Sequence, residues 1–238
     1  HSSDEDETLT SIRIGAITFP NYKKIIFHRR LHKTGSSLLQ RALRHNRKSF
    51  SNYKKIIFHC GLHKTGSSLL QSVLRHNRKS LLSHGVHYPE YRRLKLANKM
   101  NGNHSLIGKT YEGQQPFWDF ANSRVKIGSD CETLLLSGEI FSRPAIMRKI
   151  LPELMQLSGD CELQFVYYLR RYDQHLESGH AEAVKHVKKD ALNAANFAMN
   201  FRDVLAPVIN AFGAEAVTIR PYVPTQWTGG NLVFDFLD

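Results

Sequence analysis

Residues 58 to 71 read F-H-C-G-L-H-K-T-G-S-S-L-L-Q, and the rest of the chain is interpreted outward from them. Around their start, at positions 54 to 59, two lysines precede apolar, partly β-branched residues, and this pattern predicts a buried strand. Apolar residues at helical spacing then follow, namely Leu69, Leu70, Val73 and Leu74. The stretch therefore predicts a strand, a glycine-bearing loop and the beginning of a helix.

The loop between this strand and this helix has the residue types of an anion-binding site. The first N–H groups of a helix have no partner within the helix, and they carry the positive end of its dipole. Gly61 and Gly66 permit close approach of the backbone to a ligand. Lys64 adds a full charge, and Ser67 and Ser68 add hydroxyl donors. An ordinary turn that carries glycine and lysine is the alternative interpretation.

The order of residues distinguishes this loop from the common nucleotide P-loop, G-x-x-x-x-G-K-[ST], because here the lysine precedes the second glycine. The order G-x-H-K-T-G-[ST]-[ST] resembles the 5′-phosphosulfate loop of sulfotransferases that use 3′-phosphoadenosine 5′-phosphosulfate (PAPS), and most of all their bacterial, carbohydrate-type branch. The resemblance implies a P-loop NTPase-like sulfotransferase fold, PAPS as the donor and no required metal. It also implies donor contacts at Gly61, Lys64, Thr65, Gly66, Ser67 and Ser68.

A second signature, L-R-R-Y-D-Q-H-L-E-S, occupies positions 169 to 178. It combines the end of a predicted strand, an arginine and a serine eight residues later. A guanidinium offers a planar fork for phosphate oxygens. The spacing resembles the site for the 3′-phosphate of PAPS in the same family, with Arg170 and Ser178 at the matching positions. For Arg170 a surface salt bridge is the alternative.

Sulfuryl transfer also needs a base for the acceptor's proton and cations for the charge on the phosphosulfate bridge. In sulfotransferases a carboxylate or histidine at the end of a strand usually supplies the base. Glu139 matches that place, and its L-S-x-E context resembles the bacterial branch. The resemblance implies catalytic roles for Glu139 and Lys64, whereas a glutamate at a helix N-terminus is the alternative for Glu139. The rival bases are His63, His104 and His180, and His63 is the best of these because it adjoins Lys64.

The C-terminal part carries a further resemblance. R-P-Y stands at positions 220 to 222, and G-G-N-L-V-F-D-F follows at 229 to 236. The family commonly shows similar runs near its adenosine and 3′-phosphate pocket, so the resemblance spans about residues 52 to 238. Because family members usually continue through at least one more helix, we expect a domain truncated at its C-terminus.

The chain contains a tandem duplication, in which residues 21 to 49 (copy one) match residues 52 to 80 (copy two) at an offset of 31. The copies differ only at Arg29/Cys60, Arg30/Gly61, Arg41/Ser72 and Ala42/Val73. A side chain in place of Gly61 should block close approach to a phosphate, so copy two is predicted to hold the native place. Copy one in the core is the alternative. The predicted organisation is a disordered tail at 1 to 20, a duplicated strand–loop–helix appendage at 21 to 51 and a sulfotransferase-like domain at 52 to 238.

Further apolar runs predict strands at 133 to 137, 163 to 169 and 217 to 220, with a weak strand at 11 to 19. Helical spacing predicts one helix over 172 to 187 and a second over about 191 to 212, bent at Pro207 and ended by Gly213. Alternating strands and helices predict an α/β protein with a mostly parallel sheet flanked by helices, and ligands at the carboxyl ends of the strands.

The composition limits the kinds of partner that the protein is expected to bind. A net charge of +12 and a pI near 9.7 favour an anionic ligand. The chain lacks the patterns of common nucleic-acid modules and any apolar run long enough to span a membrane, so we expect neither partner. Three cysteines that match no zinc spacing predict reduced thiols in the cytoplasm, with Cys60 as a packed thiol. The expected acceptor is a carbohydrate or another small molecule.

Two rival functions remain open from the sequence. A P-loop kinase or nucleotide hydrolase would require G-K-[ST] and a magnesium-binding aspartate after an apolar strand, and neither is evident. A non-catalytic protein that binds nucleotides or acidic glycans would keep both anion sites but transfer nothing. The sequence does not predict the oligomeric state.

Overall fold

The computed structural model describes residues 53–92, 103–105, 107, 117–127, 130–185 and 200–238, with the backbone alone for 12–14, 17–19, 118 and 179–185. The chain divides into two compact units, His1–Ser37 and Leu38–Asp238. In the first unit, β1 (Ile12–Ile14) and β2 (Ile17–Phe19) pair antiparallel. The prediction of one weak strand is therefore wrong, since Gly15 interrupts the pattern and two strands form. The rest of the predicted tail and all of copy one lie outside the described residues.

The second unit contains a five-stranded sheet in which every pairing is parallel. The strands are β3 (Lys55–His59), β4 (Val86–His87), β5 (Thr133–Ser137), β6 (Glu162–Leu169) and β7 (Val217–Pro221). Their order across the sheet is β4-β5-β3-β6-β7. The predicted strands are confirmed to within one residue at either end, and so is the parallel α/β sheet.

The central strand is β3, which belongs to copy two. It is flanked by β5 and β6, with His59 opposite both Ser137 and Val166. A central parallel strand is covered on both faces, which accounts for its continuous apolar run. The Phe58 ring is fully buried and stacks on Phe165 at a centroid distance of 5.2 Å. The structure thus gives copy two the central position that the sequence predicted.

Helices cover both faces of the sheet. The helices are α1 (Ser67–His76), α2 (Arg78–Ser83), α3 (Phe117–Arg124), α4 (Pro144–Leu157), α5 (Tyr172–Lys185), α6 (Phe201–Phe212) and α7 (Leu232–Leu237). On one face, Leu70 of α1 and Leu232 of α7 form an apolar cluster with Val166 and Tyr168. On the other, α4 contacts α6, and Phe212 of α6 stacks on Phe165.

Helix α6 differs from its prediction at one end and agrees at the other. It begins at Phe201, because the backbone of Asn200 is extended and its side chain accepts a hydrogen bond from the Arg202 N–H at 3.0 Å. The predicted start near residue 191 is therefore wrong. Gly213 ends the helix with φ of 88°, as predicted, and Pro207 lies within it.

The order of the strands determines where a ligand crevice forms. After β3 the chain runs to β4 at one edge of the sheet, whereas after β6 it runs to β7 at the other edge. Connections that leave in opposite directions open a crevice at the carboxyl ends of the strands. The loop after β3 and the residues after β6 therefore border this crevice. Among the residues described, none of the helices has the length and apolar content to cross a membrane.

Candidate functional site

The loop from Cys60 to Gly66 leaves the carboxyl end of β3 and leads into α1. Two hydrogen bonds fix its start between the neighbouring strands. The Cys60 N–H donates to the Val166 carbonyl at 2.9 Å, and the Gly138 N–H donates to the His59 carbonyl at 3.1 Å. The loop is therefore held at the edge where β5, β3 and β6 all end.

Gly61 is required by the loop itself. A Cβ added there would lie 2.3 Å from Oγ of Ser67, a contact that real side chains do not make. The motif predicts a different role for this glycine, namely close approach of a phosphate. The structure adds that the first residue of α1 folds back against Gly61, so a larger residue would displace the helix start.

The loop turns at two residues with left-handed backbones. Lys64 has φ of 64° and Gly66 has φ of 72°. For a residue with a side chain this conformation costs roughly 1–2 kcal/mol, so the surrounding contacts must hold Lys64 in place. A Cβ at Gly66 would lie 2.4 Å from Leu232 and 3.2 Å from Tyr222, so the C-terminal elements close over the helix start.

The hydroxyl groups predicted to bind the donor divide into two kinds. Thr65 and Ser67 are buried, and each donates its hydroxyl to the Leu62 carbonyl, at 2.7 Å and 3.3 Å. Those two hydroxyls therefore brace the loop from inside. Ser68 is exposed at the second position of α1, so its hydroxyl is offered to an anion together with the N–H groups of Ser67 and Ser68. The next N–H, that of Leu69, already donates to the Gly66 carbonyl at 3.0 Å.

Arg170 lies at the end of β6 and reaches the loop. Its Nη1 donates to the Lys64 carbonyl at 3.3 Å, and its guanidinium carbon lies 5.6 Å from the centre of the Tyr222 ring. Its Nε is buried, with no hydrogen-bond partner among the residues that the structure describes. An unsatisfied buried donor costs about 1–3 kcal/mol, so this N–H is explained if an anion accepts from it. Ser178, which the sequence paired with Arg170, lies partly exposed in the second turn of α5.

The structure also brings two rival bases together. His63 in the loop and Glu139 in the turn after β5 face each other, with 3.7 Å between Nδ1 and Oε2. Both side chains are partly exposed, at 51% and 37%, so a substrate can reach them. They meet because β3 and β5 are adjacent and in register, which places the residues that follow them side by side.

His175 is a member of this cluster that sequence reasoning missed. It lies in the first turn of α5 and is 5% exposed. Burial lowers the pKa of His175, and the positive charges of His63 and Arg170 lower it further. The sequence does contain a signal for His175, because it precedes Ser178 by three positions, and residues at this spacing lie on the same face of a helix.

His104 is excluded as a base by its hydrogen bonds. Its Nδ1 accepts from the Ser137 N–H at 3.0 Å, so Nε2 carries the proton and donates to the Pro89 carbonyl at 3.0 Å. The ring is fully buried, and burial lowers the pKa of His104 to about 4. His104 thus connects the chain at Pro89 to the end of β5 through hydrogen bonds. The side chain of His180, the remaining rival, lies outside the described residues.

Cys60 is confirmed as a packed thiol. It is fully buried, its Sγ donates to the Phe58 carbonyl at 3.6 Å, and burial raises its pKa to about 12. A thiol with this environment is a poor nucleophile. In the part of the chain that the structure describes, no three His, Cys, Asp or Glu side chains are grouped as metal ligands.

The residues that resembled the adenosine pocket close the site from the C-terminal side. Asp235 is buried, accepts the Tyr168 hydroxyl at 2.6 Å and pairs with Arg220 at 3.3 Å. Burial is the largest single influence and raises the pKa of Asp235, but these bonds together outweigh it, so the pKa lies below its ordinary value. The cluster fixes α7 on the sheet, so Tyr222 and Leu232 stay against Gly66.

Comparison with known proteins adds no family to this geometry. No model of a known protein family matches the chain, and a search of curated proteins finds no match.

Proposed function

We propose that this protein is a sulfotransferase that moves a sulfuryl group from PAPS to a hydroxyl or amine, with a carbohydrate as the acceptor. One observation carries the proposal. Arg170, at the end of β6, is hydrogen-bonded to the anion-type loop after β3 and keeps a buried Nε without a partner among the described residues. Two anion-binding groups at one crevice suit a nucleotide with phosphates at both its 3′ and 5′ ends. The parallel sheet supports the P-loop NTPase-like sulfotransferase fold that the sequence resemblance implies.

The residues present fit the donor. Gly61 and Gly66 let the loop pack closely against Ser67 and Leu232 and so hold its shape around the 5′-phosphosulfate, and Lys64 and Ser68 supply a charge and a hydroxyl. Thr65 and Ser67 contribute through the backbone that their hydroxyls brace. Arg170 would hold the 3′-phosphate through its unpartnered Nε, with Ser178 on the following helix as the second contact.

The reaction divides between two sides of β3. The donor groups lie toward β6, where Arg170 meets the loop. The groups able to accept a proton, Glu139 and His63, lie toward β5. An acceptor hydroxyl held above β3 would therefore have a base on one side and the sulfuryl group on the other. Lys64 stabilises negative charge that develops on the phosphosulfate bridge, and this scheme requires no metal.

Calorimetry tests the donor assignment. Adenosine 3′,5′-bisphosphate should bind at least about tenfold more tightly than AMP, a difference of roughly 1.4 kcal/mol. Equal affinities would contradict the 3′-phosphate site. Tighter binding of ATP with Mg²⁺, followed by its turnover, would favour a kinase or hydrolase. Tight binding of the bisphosphate with no transfer from PAPS to any glycan would favour the non-catalytic binder.

We also propose that the protein works in the cytoplasm. The support is that Cys60, Cys131 and Cys161 are all reduced thiols, and all are buried. Reduced thiols are typical of the cytosol, whereas small secreted domains use disulfides.

A further inference from the structure

The edge between β3 and β5 holds two groups of the right type for the same task. Glu139 and His63 are both accessible to a substrate, and both were candidates for the base on sequence grounds. The 3.7 Å between Nδ1 of His63 and Oε2 of Glu139 is within ion-pair distance. The roles within the pair can be assigned from which atoms face each other.

We propose that His63 is the catalytic base of the sulfuryl transfer and that Glu139 is a positioning residue that acts through it. The nitrogen that faces the carboxylate is Nδ1. A carboxylate at Nδ1 favours the tautomer with the proton there and directs Nε2, on the other edge of the ring, to the acceptor. The distance is longer than a hydrogen bond, as is common for catalytic contacts before substrate binds. This assignment rests on the proposed function.

The chemistry of the two side-chain types favours the same division. A general base works best when its pKa lies near the operating pH, and an imidazole titrates much nearer neutrality than a carboxylate does. The geometry adds a mechanical reason, since His63 belongs to the loop proposed to hold the sulfuryl donor. A base on the donor loop moves with the donor, whereas Glu139 is attached to the neighbouring strand.

The transfer step balances with His63 in this role. The acceptor oxygen forms a bond to sulfur while the bridging oxygen–sulfur bond breaks, and the bridging electron pair stays on the 5′-phosphate of adenosine 3′,5′-bisphosphate. The acceptor's proton moves to Nε2, and Glu139 stabilises the resulting imidazolium. His63 then releases this proton to water before the next turnover.

The charge of His63 depends on groups from several elements. Glu139, from the turn after β5, favours the protonated ring. His175 of α5 lies near His63, and Arg170, which directly follows β6, lies near His175. Lys64 adjoins His63 in the loop. The cations oppose protonation, so removal of Glu139 should leave the ring neutral to a lower pH.

The experiment compares His63→Gln and Glu139→Gln in the full chain, with His32→Gln of copy one and Glu132→Gln as matched controls. Glu132 is exposed and pairs with Lys54. The measurements are kcat for transfer from PAPS between about pH 5 and pH 9, and the affinity for adenosine 3′,5′-bisphosphate by calorimetry.

We expect His63→Gln to lower kcat by about 10²–10⁴-fold. Glu139→Gln should lower it only about tenfold and move the acid limb of the profile to lower pH. The double variant should match His63→Gln alone, because a positioning residue has no effect without its base. Nucleotide affinity and both controls should be unchanged.

Other results would overturn the assignment. If Glu139→Gln loses about 10²–10⁴-fold while His63→Gln retains most of kcat, then Glu139 is the base. If Glu139→Gln leaves the acid limb in place, the two residues are not coupled. If the unaltered protein binds the bisphosphate but transfers nothing, the proposed function fails and the base assignment fails with it.

Discussion

Copy one and copy two are nearly the same sequence, yet the structure gives reasons why only copy two suits the centre of the sheet. Two of the four differences fall where the structure tolerates no change. Cys60, which is Arg29 in copy one, is fully buried, and a guanidinium there would cost several kcal/mol. Gly61, which is Arg30 in copy one, has no room for a Cβ. Two adjacent residues therefore separate a segment that fits the site from one that does not.

The other two differences carry little weight. Ser72 and Val73 lie on α1 and are partly exposed, so Arg41 and Ala42 are acceptable replacements in that environment. The comparison teaches that the difference between the copies is concentrated at the junction between strand and helix, where Cys60 and Gly61 lie.

The largest expected effect comes from placing the copy-one residue into copy two. Gly61→Arg should lower affinity for adenosine 3′,5′-bisphosphate more than about a hundredfold, above 2.7 kcal/mol, because the added side chain displaces the start of α1. Calorimetry measures the affinity, and circular dichroism tells whether the fold persists.

Ser72→Arg is the matched control, since it also introduces a copy-one arginine into copy two. It should change affinity less than about threefold, because Ser72 is partly exposed. Equal losses from both variants would mean that charge, rather than the space at Gly61, separates the copies.

The next largest effect is the expected difference in nucleotide affinity between variants of Lys64 in copy two and Lys33 in copy one. Lys64→Ala should weaken nucleotide binding by about tenfold to a hundredfold, because a hydrogen bond to a charged group contributes about 1.5–3 kcal/mol. Lys33→Ala should leave the affinity unchanged. The same titration serves both variants, and the reverse pattern would identify copy one as the working loop.

Acid sensitivity should separate the copies in stability, whereas the variants above separate them in ligand affinity. Burial lowers the pKa of His59 to about 4, whereas an unfolded histidine titrates near 6.5. Below pH ~6.5 the unfolded chain binds a proton at this histidine that the folded protein does not bind. The contribution of His59 to the free energy of unfolding is therefore fully present above pH ~6.5 and is lost as the pH falls toward ~4. His59 accounts for about 3 kcal/mol of this loss.

His59→Gln should therefore flatten the dependence of the unfolding free energy on pH between ~6.5 and ~4, as measured by urea unfolding. His28→Gln, the same change in copy one, should leave that slope as it is. A change of slope in both variants would mean that both histidines are buried.

The smallest expected effect is from removal of copy one itself. Deletion of residues 1 to 51 should leave a folded protein with unchanged affinity for adenosine 3′,5′-bisphosphate, because every proposed ligand contact lies in copy two or beyond it. Thermal unfolding and calorimetry of the shortened chain test this. Loss of the fold would show that copy one is an integral part of the domain.

Local pattern was enough to predict most of the fold. The strand at 133 to 137 and the end of α6 at Gly213 agree with the structure, because a continuous apolar run and a glycine at a helix end are local signals. The start of α6 was misplaced, since one capping residue, Asn200, outweighed a helical pattern that continued on both sides.

The site was less accessible to sequence reasoning because its contacts join distant parts of the chain. The loop residues and Arg170 were each predicted, but the bond from Arg170 to Lys64 depends on β3 and β6 being neighbours. The meeting of Glu139 with His63 likewise depends on the pairing of β5 with β3. No spacing along the chain encodes the order of strands across a sheet.

The three cysteines lie next to the ends of the three central strands. Cys60 follows β3, Cys161 immediately precedes β6, and Cys131 stands two residues before β5. Burial raises the pKa of Cys60 to about 12 and that of Cys161 to about 11. Alkylating reagents attack the thiolate, so each cysteine reacts when its strand end opens to solvent. The rates of alkylation, read by mass spectrometry, would therefore report local opening at three points of the sheet without any introduced label.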